Sequence, residues 1–282
     1  MPRTYVPFRA IGGGAPAALI AAAAVLGAAA CGASGDGAAA DVRAAPRDTV
    51  RVAVAANFAQ PHDTIARRFT DATGIAVVAT LGSTGQLYAQ IEHGAPVDVF
   101  LAADTLRPAL LERSGAAVRG SRFTYATGRL AIYAPALDDV VDSPRGLLAA
   151  AVRHVAVADS ASAPYGAAAL AVLRRWGVRA AVDARLVRGE SIGQAYQFVA
   201  SGAAEAGFVA LSQVIREPRI RYFVVPDSLY PPIAQDAVVL SRAAANPGAT
   251  RYTEFLRGLE GRAVIESFGY GVPGPHPSAA GR

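Results

Sequence analysis

Lysine is absent from this chain of 282 residues, and cysteine, methionine and tryptophan occur once each. A single cysteine permits no intrachain disulfide, so the fold is not a disulfide scaffold. Only four histidines occur, His62, His93, His154 and His276. They stand too far apart for metal-ligand spacing, and no metal site or cofactor is expected. Without lysine, all 27 basic residues are arginine; they are scattered, as at Arg67, Arg68, Arg107, Arg113, Arg119, Arg122 and Arg129, with no run and no interleaved aromatics. The net charge of +5 therefore describes a solvated surface, and no nucleic-acid partner is expected. Charged residues make up 17% and hydrophobic ones 52%, which excludes a disordered chain and predicts a sizeable core.

Long apolar runs are missing too. The longest, residues 15–30, is too short and too rich in alanine to span a membrane. Preceded by Arg3 and Arg9, it reads as an export signal over residues 1–31. It ends Leu26-Gly27-Ala28-Ala29-Ala30-Cys31, which resembles the site where bacterial lipoproteins are cleaved and acylated. The alternative is ordinary cleavage after an Ala-x-Ala site. Either way the protein is expected outside the cytoplasm, in the periplasm, with Cys31 as the residue a lipid would anchor. Residues 32–48 are mostly Gly, Ala, Ser and Asp without periodicity, which predicts a flexible tether.

From residue 49 strand and helix alternate. Apolar strands are predicted over 50–55, 75–80, 97–102, 129–134, 152–158, 184–187, 206–210, 223–225 and 236–241. Helices are predicted over 63–72, 84–92, 106–113, 166–176, 192–201 and 249–258. Unalternating strands separated by helices predict an α/β protein with mostly parallel sheets covered on both faces, and more than one sheet.

Three strand-to-helix junctions carry small hydroxyl or amide residues: Ala56-Asn57, Gly82-Ser83-Thr84-Gly85 and Gly189-Glu190-Ser191-Ile192-Gly193. A fourth, Ser162-Ala163-Pro164-Tyr165-Gly166, adds a phenol. Strand carboxyl ends are where open α/β sheets bind ligands, and a helix start with free N–H groups receives an oxyanion. Ser, Thr and Asn are also the preferred helix caps, so each junction alone reads equally as a cap. None of the four contains Lys or Arg, so an anion there would be held by neutral donors and helix dipoles.

Further stretches complete a pattern: Val52-Ala53-Val54-Ala55-Ala56-Asn57-Phe58, Gly82-Ser83-Thr84-Gly85-Gln86-Leu87-Tyr88-Ala89-Gln90-Ile91, Gly94-Ala95-Pro96-Val97-Asp98-Val99-Phe100-Leu101-Ala102-Ala103-Asp104 and Gly189-Glu190-Ser191-Ile192. With Gln194-Ala195-Tyr196-Gln197-Phe198-Val199-Ala200-Ser201-Gly202 and the run from Ala206 to Ser212, residues 49–272 resemble the molybdate-binding proteins of ABC transporters. The resemblance implies a bilobal periplasmic-binding-protein fold. Lobe 1 would hold residues 49–126 and 235–282 and lobe 2 residues 127–234, with hinges near 125–128 and 230–235. It implies capture of molybdate or tungstate by a monomer, and delivery to a membrane permease. The implied oxyanion ligands are Ala56, Asn57, Ser83, Thr84, Tyr165 and Ile192, the last through its N–H. Asn57 stands where many members have Ser, and Ala210 where others place a ligand Tyr that Tyr165 replaces.

Two other readings compete. Another tetrahedral anion, sulfate or phosphate, would use the same helix ends, and fold cannot separate these. Gly189-Glu190-Ser191-Ile192-Gly193 also fits the nucleophile elbow of serine hydrolases, but the only later histidine is His276, in a Pro- and Gly-rich tail. No enzyme activity is expected. Asp98 and Asp104 read as caps and turn formers.

Overall fold

The computed structural model describes residues 49–137, 142–217 and 221–273. The export segment with Cys31, the 32–48 tether and His276 lie outside the described residues. The strands, in chain order, are β1 (Thr49–Ala55), β2 (Ala76–Gly82), β3 (Val99–Leu101), β4 (Phe123–Gly128), β5 (Leu130–Tyr133), β6 (Val155–Ala158), β7 (Leu186–Gly189), β8 (Ala206–Ala210), β9 (Tyr222–Val224) and β10 (Ile233–Val239). The helices are α1 (Ala59–Thr73), α2 (Thr84–Glu92), α3 (Leu106–Ser114), α4 (Pro144–Leu148), α5 (Pro164–Arg175), α6 (Arg179–Asp183), α7 (Ile192–Ala200), α8 (Pro247–Arg257) and α9 (Leu259–Ser267). No helix among the described residues is long and apolar enough to cross a membrane.

Two five-stranded sheets result, ordered β2-β1-β3-β10-β4 and β7-β6-β8-β5-β9. Strand β1 is apolar at successive positions because helices cover both faces of its sheet. Val50, Val52 and Val54 pack with Phe58, Ile65 and Phe69 of the α1 side and Tyr252 of α8. Ala53 faces the other way, towards Leu87, Ile91 and Leu111 of α2 and α3. The second sheet is sandwiched alike, with Val155, Val157, Phe208 and Val209 among Ala169, Val172, Ala195 and Val199.

Both sheets are mixed but mostly parallel, as expected: in each, four of the five strands run one way and one runs against them. β1 runs parallel to β2 and β3, but β10 is antiparallel to β3 and β4. Likewise β6 is parallel to β7 and β8, but β5 is antiparallel to β8 and β9. The reason lies in the crossings. Between β4 and β5 only Arg129 intervenes, so no helix returns the chain to run parallel in the same sheet. The chain returns through residues 225–232 to β10, which pairs antiparallel with β4 from Ile233 opposite Gly128.

Four elements have no counterpart among the predicted ones: β4, α4, α6 and α9. Helix α1 starts at Ala59, earlier than expected, because Pro61 is accommodated in its first turn, where no N–H is needed. Helix α2 occupies the predicted 84–92. Gly74, at φ 75°, ends α1 in the left-handed conformation that glycine adopts without strain.

Candidate functional site

Register brings the junctions together. Ala55 pairs with Gly82 at the ends of β1 and β2, so Ala56-Asn57 and Ser83-Thr84 leave the first sheet side by side. In the second sheet Ala158 pairs with Gly189, which sets the segment leading into α5 beside Ser191-Ile192. These four helix starts surround one hollow with about 190 Å³ of space, part of it open to solvent. All six expected residues, Ala56, Asn57, Ser83, Thr84, Tyr165 and Ile192, line it, with Gly82, Ala103 and Pro164; no charged side chain does. Ala210 is not among the lining residues; it closes β8, and its N–H donates to Gln213 Oε1 at 2.9 Å.

The side chains divide the labour more finely than residue type suggests. Ser83 is a cap: its Oγ accepts from the Gln86 N–H at 3.3 Å and lies 2.9 Å from Gln86 Oε1, to which it donates. Ser191 caps α7, accepting from the Gln194 N–H at 3.2 Å, which leaves the hydrolase nucleophile reading without support. Thr84, one residue past its cap, accepts the Ala103 N–H at 3.0 Å. A hydroxyl has one proton to give, and that of Thr84 can be turned into the hollow. The Asn57 carboxamide donates to Gln235 Oε1 at 2.9 Å and to Tyr270 Oη at 3.0 Å. Tyr165 Oη accepts from Gln235 Nε2 at 3.1 Å. The carboxamide donor of Asn57 is thus engaged with neighbouring side chains, and the Tyr165 phenol, which accepts from Gln235, is also hydrogen-bonded with that of Tyr270.

The main chain supplies the remaining donors. The first N–H groups of a helix have no intrahelical acceptor, and Thr84 and Ile192 are the first residues of α2 and α7. Ala56 and Asn57 open the 3-10 turn that runs into α1. The dipole ends of these helices add positive potential. Burial pushes the Tyr165 phenol far above its ordinary pKa and that of Tyr270 up to about 12, so both stay protonated at physiological pH.

Across the hollow the two halves touch. The Gly85 N–H donates to the Ser162 C=O at 2.8 Å. A Cβ on Gly85 would stand 2.9 Å from Ser162 Cα, so only glycine allows this approach. Arg107 Nη2 donates to the Ala161 C=O at 2.9 Å, and its charge is paired with Asp104. Gln86 Nε2 reaches Glu190 Oε2 at 3.3 Å. Asp104 accepts the Arg107 N–H at the start of α3, a capping contact as expected, whereas Asp98 is no cap: it accepts the Arg51 N–H of β1 and pairs with Arg242. Residue-type reasoning missed Arg107, Ser212, Gln235 and Tyr270, since nothing in their local sequence marks them.

Two sheet-and-helix halves, joined by two crossings and closed over a small hollow of neutral donors, define a two-lobed solute-binding protein. The comparisons agree and go further. Residues 50–271 match the family described as bacterial extracellular solute-binding protein, and the chain belongs to that family. It is 46% identical over 232 residues to the molybdate-binding protein ModA of Azotobacter vinelandii, covering 81% of this chain and 92% of that protein. It is 46% identical over 223 residues to ModA of Rhodobacter capsulatus, covering 78% and 87%. The solved structure of the periplasmic molybdate-binding protein of A. vinelandii matches with a TM-score of 0.77 and 37% identity, over 80% of this chain and 100% of that one. These relatives are binding proteins, and this chain is one as well, not an enzyme.

Proposed function

We propose that this protein captures molybdate, and tungstate with it, between its lobes and delivers it to the permease of an ABC transporter. The observation that carries the reading is the meeting of four helix starts around a hollow of about 190 Å³ with no charged side chain in its lining. A tetrahedral dianion needs donors on every side and no counter-charge, and helix starts supply them. The relatives' names support the choice of ion. In this reading Thr84 gives its O–H, and Ala56, Asn57, Thr84, Tyr165 and Ile192 give main-chain N–H groups. Ser83, Asn57 and Tyr165 hold the frame with their side chains. Lobe 1 comprises residues 49–126 and 235–282 and lobe 2 residues 127–234; closing them hides the ion from water and offers the permease a new surface. The protein works as a monomer in the periplasm, held near the membrane if Cys31 is acylated.

Thermal melts with molybdate, tungstate, sulfate and phosphate test this. A ligand at about a thousandfold over its Kd adds ~4 kcal/mol to the folded state, roughly ten degrees in Tm for a chain of this size. Molybdate and tungstate should each produce such a rise and the lighter anions none, because the longer metal–oxygen bonds fill a cage that sulfate leaves loose. An equal rise with sulfate or phosphate, or no rise with any of the four, overturns the reading.

A further inference from the structure

Behind the hollow a closed set of side chains joins the two halves. Gln235, fully buried on β10, is its centre. Gln235 Oε1 accepts from Asn57 Nδ2 at 2.9 Å, and the Tyr125 hydroxyl lies 3.0 Å from the same oxygen and 3.1 Å from the Ala102 C=O. Gln235 Nε2 donates to Tyr165 Oη at 3.1 Å. The phenols of Tyr165 and Tyr270 are themselves hydrogen-bonded. The set closes through Tyr270 Oη, which accepts from Asn57 Nδ2 at 3.0 Å and lies 2.7 Å from the Asn57 C=O and 3.0 Å from Ser212 Oγ. Asn57, Gln235, Tyr125 and Tyr270 belong to the half built on the first sheet; Tyr165 and Ser212 come from the other.

Two independent features fix Gln235 where the chain crosses. The β4–β10 ladder slips between Gln235 and Asp236, so that Gln235 faces Ala126, Asp236 faces Thr124, and Tyr125 is the extra residue. Such a bulge re-aims side chains, and here the Tyr125 and Gln235 polar groups meet. At the crossing itself, a Cβ on Gly128 would overlap the Tyr165 hydroxyl and stand 2.5 Å from Gln235 Nε2. The last residue before the passage into the second sheet is thus a glycine because this hydrogen bond fills the space.

We propose that Gln235 is a positioning residue that couples the oxyanion site to the hinge: its carboxamide holds Asn57 of one half and Tyr165 of the other in one hydrogen-bonded set, which opening must break. This rests on the oxyanion reading of the hollow. Asn57 and Tyr165 both line the hollow and their side chains meet on Gln235, so an ion that draws the two helix starts together also completes this set. A carboxamide suits the place because it accepts and donates at once and carries no charge behind an anion.

The test compares wild type with Gln235→Glu and Gln235→Leu. Molybdate Kd is read by calorimetry between pH 5.5 and 8, and closure by the ligand-induced fall in radius of gyration in X-ray scattering. The groups that face the carboxamide are Asn57, Tyr125 and Tyr165, with Tyr270 beyond and Asp236, paired with Arg122, next in sequence. Burial holds the three phenols far above this pH range, so none of them titrates within it. Wild type should bind with little pH dependence. Gln235→Glu, which keeps a donor and an acceptor while protonated, should bind within a few-fold of wild type at the acid end and at least tenfold more weakly at pH 8. Gln235→Leu should bind at least tenfold more weakly throughout and close incompletely. Melting of the ligand-free variants identifies any that fail to fold; for these, Tyr165→Phe, which removes the hydroxyl Gln235 donates to, should show the same incomplete closure. Variants that close fully with wild-type affinity at every pH overturn the coupling alone. A wild type that neither binds nor closes with molybdate overturns the site reading and the coupling with it.

Discussion

Thr84 and Ser83 are adjacent hydroxyl residues with different work, and the difference is set by one residue of helical register. Ser83 has its Oγ turned into the capping box with Gln86, whereas Thr84 accepts from the main chain of Ala103 and keeps its own proton. Thr84→Val, nearly the same in shape, should therefore raise the molybdate Kd roughly 10- to 100-fold, the loss of one hydrogen bond to a charged group, while Thr84→Ser stays within a few-fold. Calorimetric titration of both variants decides it; equal effects would mean that the hydroxyl does not touch the ion. His62 allows a prediction away from the site. It is buried on α1 against Tyr252, Nε2 has no hydrogen-bond partner among the described residues, and desolvation lowers its pKa from 6.5 to about 4, opposed in part by Asp63. The native state thus resists a proton that the unfolded state accepts. Above pH 6.5 neither state is charged and His62 costs nothing; between pH 6.5 and 4 stability should fall, by on the order of 3 kcal/mol in all, and then level off. His62→Phe should lose that slope in urea titrations at stepped pH. At this scale the sequence disclosed the hydroxyl and amide residues but not their division of labour. Gln235 and Tyr270 lie 178 and 213 positions from Asn57, and no local pattern links them.

Elements show the same limit in another form. The alternation of strand and helix was legible because β1, β6 and β8 are almost wholly buried and helices such as α1 and α7 carry a clear apolar face. The missed elements lack such signals. Helices α4 and α6 are five residues each, too short for a periodicity, and Phe123–Gly128 reads as a crossing because its Thr, Ala and Gly carry no run of apolar residues. That reading missed that the segment is also a strand. The one reversed strand of each sheet, β10 and β5, was not legible, since its direction depends on where the chain crosses. Gly128, at the end of β4, gives the prediction for this scale. Gly128→Ala drives a methyl into the Tyr165 hydroxyl and Gln235, and such overpacking costs ~1–3 kcal/mol. The Tm should fall by several degrees, at roughly 2–4 °C per kcal/mol, and molybdate affinity should drop with it. A variant that melts and binds like wild type would show that the crossing has room to spare.

For the whole molecule, the resemblance carried over residues 49–272 implied a two-lobed binding-protein fold, and the family match over residues 50–271 and the two sheets agree. What the chain alone could not disclose is how the halves hold each other. The contacts of Gly85 with Ser162, Arg107 with Ala161 and Gln86 with Glu190 form between segments that a linear reading treats separately. They join the segments around the hollow, with the Gln235 set beside them, so in the proposed site an ion would be enclosed by bonds that a separated pair of lobes would lose. Binding and closure are then one event, and affinity is governed by how well the closed cage fits its ion. The most direct measurement is calorimetric titration of the purified protein with molybdate, alone and in the presence of millimolar sulfate. We predict one site per chain and an affinity that excess sulfate leaves unchanged. No heat of binding with molybdate, or displacement of molybdate by sulfate, would contradict the claim that this hollow is a cage for the larger oxyanion.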